Sequence, residues 1–396
     1  MKQKKTILFN KVGRDILKKE LAAEPFDRIT ASFYLYHPIE NPQAFRDQLF
    51  ITWNKLNILG RIYIATEGIN AQLSVPEQNW SQFCETMNSF PFLRNVPIKK
   101  AIQDGNSFYK LTIKVRKELV AYGVPENSYD MNKVGNHLSA EEFNQALEKP
   151  ETIVVDMRNY YESEVGRFES AIIPDVEISK ELLPEVKDIL GGKEEEQILL
   201  YCTGGIRCEK ASAYLLKSGF KDVNQLQGGI IQYAHDIKEK GLESKFIGKN
   251  FVFDHRMGEK ITPDTISLCH QCDNYCDEHT NCENQSCHIL FIQCESCKSK
   301  FTNCCSIECS DFIKFSKDKQ RILFKSGKIK FNAQILEVSR EKSSDYLQQF
   351  DRRWHRFQQC RSVTRSCEPS HRVCLRQRVQ SSLHYWVFQL KPAVCV

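Results

Sequence analysis

The chain of 396 residues has no apolar run approaching the ~20 residues that a membrane-spanning helix requires. Its start, Met1-Lys2-Gln3-Lys4-Lys5, is basic, but only Thr6-Ile7-Leu8-Phe9 follows before polar residues return. That is too short for the apolar core of a secretory signal, so a cytoplasmic location and no membrane partner are expected. No Gly-x-Gly-x-x-Gly fingerprint for a flavin or nicotinamide is present, and no His-x-Asp/Glu pair for a non-haem iron triad. Gly241 to Gly248-Lys249 fails as a phosphate-binding loop, because its glycines are two residues too far apart and no Ser or Thr follows the lysine. What remains to carry chemistry is sulfur. Seventeen cysteines without an export signal argue for thiols, metal ligands and catalysis rather than a disulfide framework.

The net charge of +5 is segregated. Residues 1–120 carry 18 Lys+Arg against 11 Asp+Glu, residues 121–265 carry 17 against 26, and residues 266–396 carry 20 against 13. Two basic flanks around an acidic middle would grip a polyanion, although charge counts alone favour plain solvated surfaces.

The acidic middle contains Tyr201-Cys202-Thr203-Gly204-Gly205-Ile206-Arg207-Cys208-Glu209-Lys210. An apolar run, Gln197 to Tyr201, precedes it and reads as a buried parallel strand; Ala211 to Leu216 follows and reads as a helix. Cys202 therefore stands at the carboxyl end of a strand. Two glycines let successive amides turn toward one point, and the helix adds its positive end there. With Arg207 close by, such a thiol ionises well below the ordinary ~8.5 and becomes a nucleophile. The cradle suits a persulfide anion as well. Cysteine phosphatases space the two residues Cys-x5-Arg; here the spacing is Cys-x4-Arg, a loop sized for sulfur, and it resembles the rhodanese active site. Asp156 and Arg158 leave a strand on the same edge, either bordering the nucleophile or forming an ion pair that fixes the loop. Cys208, in the helix's first turn, reads as a resolving thiol or as packing.

The expected architecture has three parts and a tail. In residues 1–121, strands at 29–36, 61–65, 69–75, 98–102 and 108–115 alternate with helices at 41–59 and 76–90 in the β-α-β-β-α-β order of a ferredoxin-like or acylphosphatase-like α+β domain. Lys99, Lys100, Lys110, Lys114, Arg116 and Lys117 cluster in its last third. With Phe33, Tyr34, Tyr36 and Phe108 they would make a sheet face that holds single-stranded RNA, unless the aromatics are core. Residues 122–250 open with a linker to about Asn136 and alternate strands (152–158, 197–201, 222–226) with helices (139–147, 180–190, 228–240), the pattern of a doubly wound parallel α/β sheet. Gly248 to Gly258 reads as a further strand.

Residues 251–330 hold ten cysteines between Cys269 and Cys309. The two Cys-x2-Cys knuckles, Cys269/Cys272 and Cys294/Cys297, suit one structural zinc, with the remaining cysteines and His279 or His288 available for a second. Reduced thiols or a few disulfides are the alternative. Residues 331–396, with Arg352, Arg353, Arg356 and Arg361 among many bases and no amphipathic period, read as a disordered basic tail.

These motifs together resemble the bacterial rhodanese-domain tRNA uridine hydroxylases. The match is carried by Gly68-Ile69-Asn70-Ala71-Gln72, Asp156-Met157-Arg158-Asn159, Tyr201 through Lys210, Gly228-Gly229-Ile230-Ile231, Phe246 through Met257 and Cys269-His270-Gln271-Cys272. It spans about Thr30 to Cys309 and fades beyond about Phe324. The resemblance implies an acylphosphatase-like domain, a rhodanese domain and a cysteine-rich extension. It also implies oxygen-dependent conversion of the wobble uridine of tRNA to 5-hydroxyuridine, with Cys202 as the persulfide-forming residue. Catalysis is then expected from Cys202 and Arg207 on the loop Thr203, Gly204, Gly205 and Ile206. Phosphate contacts are expected from Lys110, Lys114, Arg116 and Lys117. No catalytic cofactor beyond dioxygen is expected, and the electron donor is unassigned. The rhodanese loop alone fits a sulfurtransferase acting on a small thiol, cyanide or tRNA equally well, and a non-catalytic binding module is a third reading.

Overall fold

The computed structural model describes residues 8–326 other than Glu177. The basic tail expected over residues 331–396 lies outside them.

The first domain begins with α1 (Arg14–Ala22) and continues as β1 (Arg28–Tyr36), α2 (Pro42–Lys55), β2 (Leu59–Ala65), β3 (Gly68–Pro76), α3 (Trp80–Ser89), β4 (Lys99–Lys100) and β5 (Leu111–Val115). Asn41 starts α2 as expected, its side chain accepting the Ala44 N–H at 3.0 Å with Pro42 in the first turn. The strands lie in the order β4-β1-β3-β2-β5. β1 and β2 each run antiparallel to β3, and β5 adds parallel to β2. The first four strands thus have the order expected of a ferredoxin-like sheet, and β5 is the extra piece. α1 was not legible: its nine residues carry only a short apolar stripe, and Leu17 alone is buried.

Alternation along these strands sorts the side chains into two faces. Phe33, Ile62, Ile64 and Leu73 pack against Leu49 and Trp53 of α2 and Phe83 of α3. Ser32, Tyr34, Tyr63, Asn70 and Gln72 point the other way, into a cavity. The expected RNA-stacking face therefore does not exist as an open surface. Phe33 is core, while Tyr34 and Tyr36 reach the loop after Cys202, where their hydroxyls donate to Glu209 (2.9 Å) and the Ile206 carbonyl (3.3 Å).

The second domain contains β6 (Asn136–Leu138), α4 (Ala140–Leu147), β7 (Ile153–Asp156), α5 (Tyr160–Ser163), β8 (Gly166–Phe168), α6 (Ser179–Ile189), β9 (Gln197–Tyr201), α7 (Ile206–Lys217), β10 (Asp222–Leu226), α8 (Gly229–Lys240) and β11 (Phe246–Asn250). Its main sheet, β6-β10-β9-β7, is entirely parallel. Phe143 of α4 and Ile230 and Tyr233 of α8 cover the face bearing Leu199 and Tyr201. Leu182, Leu183 and Val186 of α6 and Ala211 and Leu215 of α7 cover the face bearing Ile198 and Leu200. β6 begins where the expected linker ends and was not foreseen; three residues are too few for a periodic signal. β11 pairs antiparallel with β8 and with β12 (Glu259–Lys260). The strand expected over 248–258 ends at Asn250, and the chain beyond it crosses the cavity as a loop.

The remainder folds as a hairpin of β13 (His279–Asn281) and β14 (Leu290–Ile292), followed by α9 (Glu295–Phe301), α10 (Ile307–Ile313) and α11 (Lys317–Lys325). His270 binds Glu164 at 2.7 Å and Lys249 binds Glu278 at 2.7 Å, tying this extension to the parallel-sheet domain.

Candidate functional site

Period-two alternation places Cys202 on the same side of β9 as Ile198 and Leu200, the side covered by α7. The chain must reverse within three residues to enter that helix. It does so at Gly205, whose φ of 99° is open to glycine and strained for other residues. The turn brings the Gly205 N–H to 3.1 Å from Cys202 Sγ, where it donates to the sulfur. A second glycine closes the loop from behind. At Gly229 a Cβ would lie 2.5 Å from the Cys202 carbonyl oxygen and 2.8 Å from the Gly204 nitrogen. Its absence lets the amides of Ile230 and Ile231 donate to the carbonyls of Cys202 and Thr203 at 3.0 and 3.1 Å.

Burial alone would push the Cys202 thiol up. The Cys208 thiol, the Arg207 charge and the backbone amides of Arg207 and Gly205 outweigh it and bring the pKa down to about 5. The sulfur is a thiolate at neutral pH. Cys208 is buried and moves the opposite way, raised by burial and by the neighbouring thiolate, so it keeps its proton and supports the first sulfur.

Arg207 does not stand free beside the thiolate. Its guanidinium forks onto Glu162, with Nη1 to Oε1 at 2.6 Å and Nη2 to Oε2 at 2.8 Å, and its Nη2 also donates to Thr203 Oγ1 at 3.3 Å. Glu162 is fully buried and also caps α5 through the Asn159 N–H at 3.0 Å. It comes from forty-five residues upstream, and nothing in the local sequence marks it as the partner. Asp156 and Arg158 are both buried without exposure and pair at 2.6 Å. Arg158 also donates to the Gly166 carbonyl at 2.6 Å, and Ser163 Oγ donates to Asp156 at 2.7 Å. They fix the turn between β7 and β8 behind the loop and do not line the cavity. Lys110, Lys114, Arg116 and Lys117 stand exposed on or beside β5, also outside the cavity lining.

Cys202, Thr203, Gly204, Ile206 and Arg207 form one wall of a cavity of about 350 Å³. The sheet of the first domain forms the opposite wall, through Tyr34, Tyr63, Asn70 and Gln72. Val252, Phe253 and Arg256, in the loop after β11, close a third side. The walls are held together by bonds that cross between domains. Lys210, beside the Cys202 loop, reaches Glu67 at 2.9 Å, and the Tyr34 hydroxyl donates to Glu209 at 2.9 Å. Arg256 pairs with Asp254 and Glu259, and Glu259 accepts the Ile102 N–H at 3.0 Å. The side-chain carboxamides of Asn70 and Gln72, both lining the cavity, make no hydrogen bond with any described residue and are available to a ligand.

Among the described residues two groups of four cysteines lie in the extension. The sulfurs of Cys269, Cys272, Cys294 and Cys297 fall within 4.8 Å of one another, as do those of Cys282, Cys287, Cys305 and Cys309. Cys272 and Cys294 are 3.5 Å apart, and Cys305 is 3.7 Å from both Cys287 and Cys309. A tetrahedron with metal–sulfur legs of ~2.3 Å has sulfur–sulfur edges of ~3.8 Å, so both sets fit a four-thiolate metal centre. The first is the set that the two knuckles predict. The second uses neither His279 nor His288; His279 Nε2 instead meets the Tyr161 carbonyl at 3.1 Å.

Known families and proteins match this chain in sequence. Residues 28–119 match the model of the UPF0176 acylphosphatase like domain, residues 139–236 that of the rhodanese-like domain, and residues 247–310 that of the rhodanase C-terminal segment. The tRNA uridine(34) hydroxylase of Leptospira interrogans is 52% identical over 330 residues, covering 83% of this chain and 90% of its own. That of Yersinia pestis is 48% identical over 317 residues, covering 80% and 89%. Among solved structures, the Alr3790 protein from Anabaena sp. aligns with 28% of this chain and 80% of its own at 20% identity and a TM-score of 0.23. With three successive domain matches and half its residues identical to these relatives over most of its length, the chain belongs to the UPF0176 family of rhodanese-domain tRNA uridine(34) hydroxylases.

Proposed function

We propose that this protein hydroxylates C5 of the wobble uridine of tRNA, and that Cys202 is the nucleophile that activates the base. The observation that carries this reading is the low-pKa sulfur on one wall of a cavity whose opposite wall offers aromatic rings and free carboxamides. An uracil flipped out of the anticodon would stack on Tyr34 or Tyr63 and present its Watson–Crick edge to Asn70 or Gln72. The exposed Lys110, Lys114, Arg116 and Lys117 would take neighbouring phosphates.

C5 of uracil is electron-poor until a nucleophile saturates C6. The Cys202 thiolate adds there, a C–S bond forms, and the displaced π pair makes an enolate over C5 and O4. The enolate carbon forms a bond to dioxygen. Two electrons and two protons from a dithiol-class donor then cleave the O–O bond, and one oxygen leaves as water. Loss of the C5 proton and expulsion of the thiolate restore the ring as 5-hydroxyuridine. In this scheme Arg207 and Glu162 hold the loop, and dioxygen is a co-substrate. The two cysteine quartets would hold structural zinc away from the chemistry, since a closed four-thiolate site leaves no position for substrate.

A sulfurtransferase would need the loop but not a cavity walled by the other two segments. Nucleoside mass spectrometry of unmodified tRNA treated with the full chain, dioxygen and a dithiol separates the two activities. The expected product is 5-hydroxyuridine with wild type and none with Cys202→Ser. Thiouridine in its place, or full hydroxylation by Cys202→Ser, overturns the reading.

A further inference from the structure

Among the described residues four cationic side chains line the cavity, and three have an evident partner. Arg207 is neutralised by Glu162 and Arg256 by Asp254 and Glu259, while Arg61 is exposed and donates to the Phe253 carbonyl at 3.3 Å. The fourth is Lys99. The residue is 8% exposed, and its ammonium makes no hydrogen bond or ion pair with any described residue. It starts on the short edge strand β4, opposite Ser32 of β1. Its stem passes close to Gly228 of the second domain, where an added Cβ would lie 3.5 Å from Lys99 Cδ. The ammonium sits 4.7 Å from the centre of the Tyr34 ring, on the wall facing Cys202.

A buried ammonium without a carboxylate is costly to maintain. Burial does pull Lys99 down, to about 8, with the negative charges of Cys202 and Glu209 opposing the fall. At neutral pH it is still mainly a cation. In the resting protein it is balanced by the fields of the thiolate and of Glu209, and the first of these charges leaves the sulfur when the sulfur reacts.

We propose that Lys99 is a catalytic residue of the hydroxylation, whose ammonium binds uracil O4 and takes up the negative charge that moves there when the Cys202 thiolate adds to C6. The step balances without a further reactant. The sulfur lone pair becomes the C6–S bond, the C5=C6 pair shifts to C4–C5, and the C4=O4 pair becomes the third lone pair on O4. The negative charge has crossed the cavity from sulfur to oxygen, toward Lys99. A fixed cation aimed at a developing oxyanion acts on the transition state more than on the bound base. The inference rests on the hydroxylase reading above.

The test uses the full-length chain with unmodified tRNA and with tRNA carrying 5-fluorouridine. The first is scored for 5-hydroxyuridine by mass spectrometry, the second for covalent adduct on denaturing gels. Lys99→Met preserves the stem and removes the charge. It is expected to slow adduct formation and hydroxylation by ~10²–10³-fold, the usual loss for one oxyanion partner. Its tRNA dissociation constant and melting temperature are expected to stay near those of wild type. Lys99→Arg should regain at least tenfold over Lys99→Met. If Lys99→Met reacts within threefold of wild type, or if its loss is matched by weaker tRNA binding or a lowered melting temperature, the role assigned to Lys99 is wrong and the hydroxylase reading stands. If the wild type itself gives neither adduct nor 5-hydroxyuridine, both fall.

Discussion

At the scale of single residues, the site turns on where one negative charge is kept. The Cys202 thiol is brought to about 5 although it is buried, because the Cys208 thiol, the Arg207 charge and two amides together outweigh desolvation. The sign is fixed. Alkylation of Cys202 by iodoacetamide should rise with pH through about 5 and be flat from 6 upward, whereas an ordinary thiol would still be rising near ~8.5. Mass-spectrometric mapping of the labelled peptide at a series of pH values reads this directly, and a midpoint near that of free cysteine would refute it. The same shift makes a stabilising contribution that is complete above the unfolded thiol's value and is lost as pH falls through about 5. The proximity of Cys202, Arg207 and Cys208 was legible from spacing alone. Glu162 was not, since its pairing with Arg207 joins residues 45 apart in sequence.

Among the elements, the loop from β9 into α7 succeeds because a second loop leaves room for it. Gly229 opens α8 at a φ of 68°, and any Cβ there would strike the Cys202 carbonyl and the Gly204 amide. Gly229→Ala combines a left-handed backbone with an overpacked contact and should cost ~2–4 kcal/mol in denaturant unfolding. Gly204→Ala meets nothing within 4 Å and should stay within ~0.5 kcal/mol. Equal effects from the two would show that the loop is not set by close approach of α8. Pattern made α4 and α6 readable in advance, Asn41 with Pro42 did so for α2 and Gly228-Gly229 for α8, and Ser139 caps α4 through the reciprocal bonds its sequence promised. β6 and α1 escaped because three residues and one buried leucine leave no pattern to detect.

For the whole molecule, three folded segments share one cavity, and the cysteine extension is the segment with the smallest apolar core. It contributes two compact clusters in which half or more of the buried residues are cysteines. Metal would replace the packing such a segment lacks. Protein purified without chelator should carry two zinc ions per chain by elemental analysis, and Cys269→Ser should release one of them and lower the thermal midpoint. Purified protein free of metal, with the quartets reactive toward thiol reagents, would refute this. The sequence by itself marked Cys202 as the candidate nucleophile and determined the two domain types, the first cysteine quartet and the polarity of the flanks, because each is encoded in local spacing or periodicity. Only the tertiary structure decided that Tyr34, Asn70 and Lys99 face the thiolate, that Arg207 is held by Glu162, and that Asp156 and Arg158 stay behind the loop. Those relations join distant strands across a domain boundary, and their distances depend on how sheets pack, which no short stretch of sequence records.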